Sequence, residues 1–159
     1  MQNLELLIKI VRNNWDIQVS RATALISQLD HEKIYSEVSP GKNRGIYILG
    51  HLVAYHDLMP EILGLGKRTL PFLYEPFLKN PDTIGVPVPD YDELKLYFKQ
   101  VHDRLSEQFD SLSPDEWFKR HEAMTDEDFE KDPSRNKLNV LLNRTNHFAY
   151  HLGQLRLLK

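Results

Sequence analysis

Two histidines four residues apart, His147 and His151, sit in the closing stretch Thr145-Asn-His147-Phe-Ala-Tyr-His151-Leu-Gly153-Gln154. On a helix this spacing puts both imidazoles on one face, one turn apart, where both can reach one metal ion. A third histidine, His51, stands far upstream in a second apolar helix pattern, which makes a site built from two helices conceivable. Three neutral imidazoles suit zinc, nickel, iron or copper and leave open positions for water or substrate. The plain alternative is a set of partly exposed or hydrogen-bonded side chains, because a chain with seven histidines readily contains such a pair. Placement favours the site. His147 and His151 share a face with Val140, Arg144, Gln154 and Leu158, beside the apolar stripe of Leu141, Phe148 and Leu155. His51 lies beside Tyr47, Ile48, Tyr55 and Leu58, and polar groups at the edge of a core need partners.

Other chemistries lack their residues. A zincin helix needs glutamate directly after its first histidine, where this chain has Phe148. A carboxylate-bridged di-iron bundle needs glutamate three residues before a ligand histidine, and those positions hold Ile48, Arg144 and Phe148. The acidic run from Asp126 to Asp132 resembles the start of a calcium loop. However, Lys131 takes the glycine position and Lys137 the closing glutamate position, so a solvated connection is expected. No glycine-rich phosphate loop and no nucleophile elbow occurs. His56 cannot share a site with His51, because five residues on a helix turn them well apart. It reads as a surface pair with Asp57. His31, His102 and His121 read as structural or solvated.

The elements that must position these residues follow from apolar spacing. Leu4, Leu7, Val11, Trp15, Val19, Ala22, Ile26 and Leu29 predict a long first helix. A second runs from about Arg44 through Leu63, with Pro60 expected to kink or shorten it. Residues 64 to 90 are rich in proline and glycine and read as a long crossover with one short helix near Pro71 to Lys79. Asp90 and Glu93 form a capping-box signal for a third helix through Leu94, Tyr97, Phe98, Val101, Leu105 and Phe109. Ser113-Pro114-Asp115-Glu116-Trp117 predicts a short capped helix. Residues 121 to 134 read as a second connection, and a fourth long helix starts near Asn136 and carries Leu138, Leu141, Phe148, Leu152 and Leu155. Four main helices with two long crossings predict an all-α bundle whose neighbours need not all be antiparallel.

The 159 residues fit one domain spanning 1–159. With 41% hydrophobic and 27% charged residues, composition is that of a soluble globular protein. A net charge of −3 without a basic stripe argues against nucleic acid or an anionic membrane as a partner. Cysteine is absent, which excludes disulfides, thiolate ligands and a cysteine nucleophile. The start Met1-Gln-Asn-Leu-Glu lacks the pattern of a signal peptide, and no segment approaches the ~20 apolar residues that a membrane span needs. A cytoplasmic location is expected.

Gly50-His51-Leu-Val-Ala-Tyr-His-Asp and Asn146-His147-Phe-Ala-Tyr-His151-Leu-Gly153-Gln154 together resemble the DinB-like superfamily of small metal-binding bundles. The terminal His-x-x-x-His-x-Gly-Gln carries most of the resemblance, which extends over nearly the whole chain in length and helix order. It implies a four-helix bundle with up-down-down-up connectivity, often a homodimer. It also implies a divalent metal, commonly nickel or zinc and sometimes iron or manganese, held by residues that match His51, His147 and His151. Some relatives are thiol-dependent S-transferases using bacillithiol or mycothiol, one is a maleylpyruvate isomerase, and many have no demonstrated activity. The expectation is a metal-dependent hydrolase or S-transferase acting on a small molecule, with any thiol supplied from outside. The alternative is a non-catalytic metal-binding or dimerisation module. Gly153 is expected to admit a close neighbour and Gln154 to orient a ligand. Tyr47, Tyr55 and Arg44 are candidates for the pocket wall.

Overall fold

The apolar spacing becomes helix along most of the chain in a computed structural model that describes residues 2–83, 85 and 87–159. Four long helices are α1 (Gln2–Ile26), α2 (Gly45–Leu63), α3 (Tyr91–Asp110) and α6 (Lys137–Leu155), with short helices α4 (Pro114–Trp117) and α5 (Asp126–Lys131) between the last two. No strand forms among the described residues; pairing is limited to isolated bridges from Glu37 to Arg44 and from Arg120 to Asn136. The protein is all-α. No described helix is long and apolar enough to cross a membrane.

Helix starts follow their caps. The Asp90 carboxylate accepts from Glu93 N–H at 2.9 Å while Asp90 N–H donates to Glu93 at 2.9 Å, closing the box ahead of α3. Asn136 Oδ1 accepts from Asn139 N–H at 3.0 Å and starts α6. The acidic segment expected to be a connection contains α5, capped by Thr125, whose hydroxyl accepts from Asp128 N–H at 3.2 Å. Nothing in α5 is buried, so no apolar stripe marks it.

The core begins later on α1 than the spacing suggests. Ile8, Val11, Trp15, Ala22, Leu25 and Ile26 are buried, whereas Leu4 and Leu7 stay exposed. α2 is apolar on nearly every side and packs against both α3 and α6, while α1 packs against α6. Pro60 does not shorten α2. It lies in the last turn, where one donor is lost, and the helix continues to Leu63. Gly64 then takes the left-handed conformation (φ 69°), and Leu65 N–H donates to Pro60 O at 2.8 Å to close the end.

This central position corrects the reading of His56 and Asp57 as a surface pair. Both are buried, with 0% and 2% exposure, because α2 has helices on two sides and the connection after it folds against Asp57. Asp57 instead caps the loop after α2, accepting from Thr69 N–H at 2.9 Å, Thr69 Oγ1 at 2.8 Å and Leu70 N–H at 2.7 Å.

The long connection wraps back over α2. Its helical turns at Pro71–Leu73 and Glu75–Lys79 fall where one short helix was expected and plant Leu73 and Phe77 in the core. Asp82 accepts from Arg44 N–H at 2.7 Å and from its guanidinium, while Tyr47 OH donates to Asn80 O at 2.6 Å. At one end of the molecule Tyr91 OH, opening α3, donates to Ile26 O at the end of α1 (2.5 Å). Leu158, just past α6, lies against Gly45 at the start of α2. Towards the other end Arg12 pairs with Asp110 at 2.6 Å. These contacts are compatible with up-down-down-up directions.

Candidate metal centre

His51 rides on the first half of α2, and His147 and His151 on the last half of α6, and the packing of these two helices brings all three imidazoles together. His51 Nε2 lies 3.2 Å from His147 Nε2, and His151 Nε2 lies 3.1 Å from it. One ligand nitrogen from each of the three falls within 4.8 Å of the others. All three residues are half-buried, so the group is anchored between the helices and partly open to solvent.

The outer nitrogens of two rings are fixed. His51 Nδ1–H donates to Phe77 O at 2.8 Å, and His151 Nδ1–H donates to Gln154 Oε1 at 2.7 Å. Each imidazole therefore turns a bare Nε2 lone pair inward. A hydrogen on His147 Nε2 can serve one of these lone pairs well; without it, three lone pairs converge. A cation resolves that conflict. Bonds of about 2.1 Å to one ion would separate imidazole nitrogens by about 3.4 Å in a tetrahedron and about 3.0 Å at right angles, close to the 3.2 and 3.1 Å of the two pairs that share His147. His147 Nδ1 is buried without a partner. The donor set thus fits a divalent metal, with outer hydrogen bonds orienting two of the three ligands.

Electrostatics keep the ligands in the form a metal needs. Burial pushes His147 down to about 3, helped by His151, His51 and Arg144. Burial also lowers His51 and His151, against the hydrogen bonds they donate to Phe77 and Gln154 respectively. Near neutral pH the imidazoles are uncharged, and no carboxylate is close enough to raise any of them. The cluster can hold a divalent ion while leaving coordination positions free.

The Phe77 carbonyl that orients His51 comes from the far-off connection and was absent from the sequence reading. It is available because the last carbonyls of a helical turn have no partner within it. Gly50 makes the approach feasible: a Cβ there would stand 2.2 Å from the Phe77 ring. Gly50→Ala is therefore expected to displace Phe77, to lower stability by about 1–3 kcal/mol through overpacking, and to weaken metal binding; thermal melts with and without metal check both.

Gln154 does orient His151 as anticipated. Gly153 admits nothing, since a Cβ there would have open space around it. The Tyr55 ring lies 5.6 Å from His51 and 5.2 Å from His147, and Tyr47 stacks 6.4 Å from His51, so both flank the centre. Arg44 turns away to Asp82.

His102 is structural, and the pair it forms was not legible. Its Nδ1–H donates to Phe98 O at 2.7 Å, leaving Nε2 to accept from His56 Nδ1–H at 3.0 Å. Both rings pack around Trp15 and Phe148.

Comparison with curated protein sequences finds no match. The family profile of the DinB superfamily matches residues 14–155, from the core stripe of α1 to the last residue of α6 and across all three histidines. By that match the chain belongs to the DinB superfamily.

Proposed function

We propose that this protein is a metal-dependent enzyme that binds one divalent ion, nickel or zinc before iron or manganese, through His51, His147 and His151. The supporting observation is the convergence of three Nε2 atoms, two of them stripped of hydrogen by their outer hydrogen bonds. When bound, the ion would supply Lewis acidity and lower the pKa of a water or thiol beside it. The chain's own residues hold the ligands neutral, fix two ring orientations through Phe77 and Gln154, and leave the group partly open to solvent. The reaction proposed is hydrolysis, or transfer of an external low-molecular-weight thiol to a small electrophile, because the chain has no cysteine of its own.

Gln154→Ala removes the partner of His151 Nδ1 and is expected to weaken metal binding by roughly 10- to 100-fold, measured by competition with a chromophoric chelator. The catalytic reading is tested by stripping the protein with a chelator, reloading single metals, and assaying thiol addition and ester hydrolysis. Turnover that returns with one metal supports it. Stoichiometric metal without turnover favours the non-catalytic binding module.

We also propose a cytoplasmic homodimer. Leu6, Ile10 and Ile17 lie on one face of α1 and stay about half exposed, offering apolar surface to a second copy. Light scattering is expected to give twice the chain mass.

A further inference from the structure

Arg144 lies on α6 one turn before His147, on the face that also carries His151. It is half-buried, as are Arg12, Arg44, Arg68, Arg104 and Arg120. Each of those five has an acceptor: Asp110, Asp82, Glu61, Lys67 O and Asp126, respectively. Arg144 has no carboxylate and no hydrogen-bond acceptor among the described residues. Its guanidinium lies 4.3 Å from the centre of the Tyr55 ring, and Tyr55 itself borders His51 and His147. An arginine held at this depth with its five donors unspent is set up to receive an anion.

The charge around the site points the same way. Three neutral imidazoles would leave a divalent ion's charge uncompensated, and among the described residues no carboxylate stands near enough to shift them. Arg144 adds a further positive charge, set against the Tyr55 ring that also borders two of the histidines. The planar guanidinium fork matches a carboxylate in two parallel hydrogen bonds. Building on the metal reading above, the geometry points to Arg144 as the anchor for a substrate carboxylate, which holds the rest of that small molecule over the three histidines. The substrate class is then a small carboxylic acid whose reacting group lies at the opposite end from the anchored carboxylate.

Mercaptoacetate and mercaptopropionate, each set against the matching mercaptoalcohol, probe this without turnover. Their binding to cobalt-loaded protein is followed by the sulfur-to-cobalt charge-transfer absorption. The wild type is expected to bind an acid about tenfold or more tightly than its alcohol, since hydrogen bonds to charged groups are the strong ones. Arg144→Gln should lose that preference with cobalt stoichiometry unchanged, and Arg144→Lys should keep part of it. Equal preference in Arg144→Gln, or none in the wild type, overturns the anchor and leaves the metal site standing. Failure of cobalt to bind the wild type overturns the metal reading and the anchor with it. Phosphate displacing the mercapto acid more effectively than acetate overturns the carboxylate assignment.

Discussion

Replacing His147 with alanine is expected to abolish stoichiometric metal binding, while His56→Leu leaves it intact. His147 Nε2 is the middle member of the cluster, within 3.2 Å of both other ligand nitrogens, so its removal leaves two imidazoles on different helices. The loss should exceed the roughly 10- to 100-fold that follows removal of an outer hydrogen-bond partner. Stability gives a second readout. A ligand at a hundredfold excess over its Kd stabilises the folded state by about 2.7 kcal/mol. The wild type should show an upward shift in melting temperature on metal addition, and His147→Ala should show none. His56 points into the core toward His102, so losing it costs packing and leaves the metal-dependent shift. A metal shift retained in His147→Ala would place the ion elsewhere.

The second large effect is acid instability to which the buried His56–His102 pair contributes. Burial pushes His102 down to about 4 and His56 well below the ordinary histidine value of 6.5. In the unfolded chain both take up protons as pH falls through about 6.5, whereas the folded protein keeps them neutral. The unfolded state then binds more protons, so stability is full above pH 6.5 and is lost progressively below it. At about 1.4 kcal/mol per pH unit, His102 alone accounts for a loss of about 3 kcal/mol by pH 4. His56 adds to that. Denaturant midpoints measured between pH 7.5 and 4.5 in chelator are expected to fall steeply for the wild type. The slope should be shallower for the His56→Leu/His102→Leu double variant, the remainder being carried by His51, His147 and His151, which burial also lowers. Equal slopes would show that the pair does not carry the acid sensitivity.

What could be read from residue order depended on how locally each feature is encoded. The His147–His151 face was legible because a four-residue spacing fixes it within one helix. The cap at Asp90 was legible for the same reason. His51 needed the packing of α2 on α6, which no spacing specifies. The Phe77 carbonyl carries no residue-type signal at all, and its one trace in the sequence is Gly50 beside His51, whose missing Cβ leaves room for the ring. His56 and Asp57 were misplaced because two adjacent polar residues suggest a wet face. Ile46, Ile48, Leu49, Leu52, Val53, Ala54 and Met59 occupy almost every direction around α2, and that density was the better guide. α5 escaped notice since its acidic turn buries nothing.

The most direct test is elemental analysis of protein purified without nickel-affinity resin, incubated with a mixture of divalent metals and freed of excess ions. One tightly held ion per chain is expected, lost from each of His51→Ala, His147→Ala and His151→Ala. Protein that retains no metal, or that retains it in all three variants, would contradict the three-histidine centre.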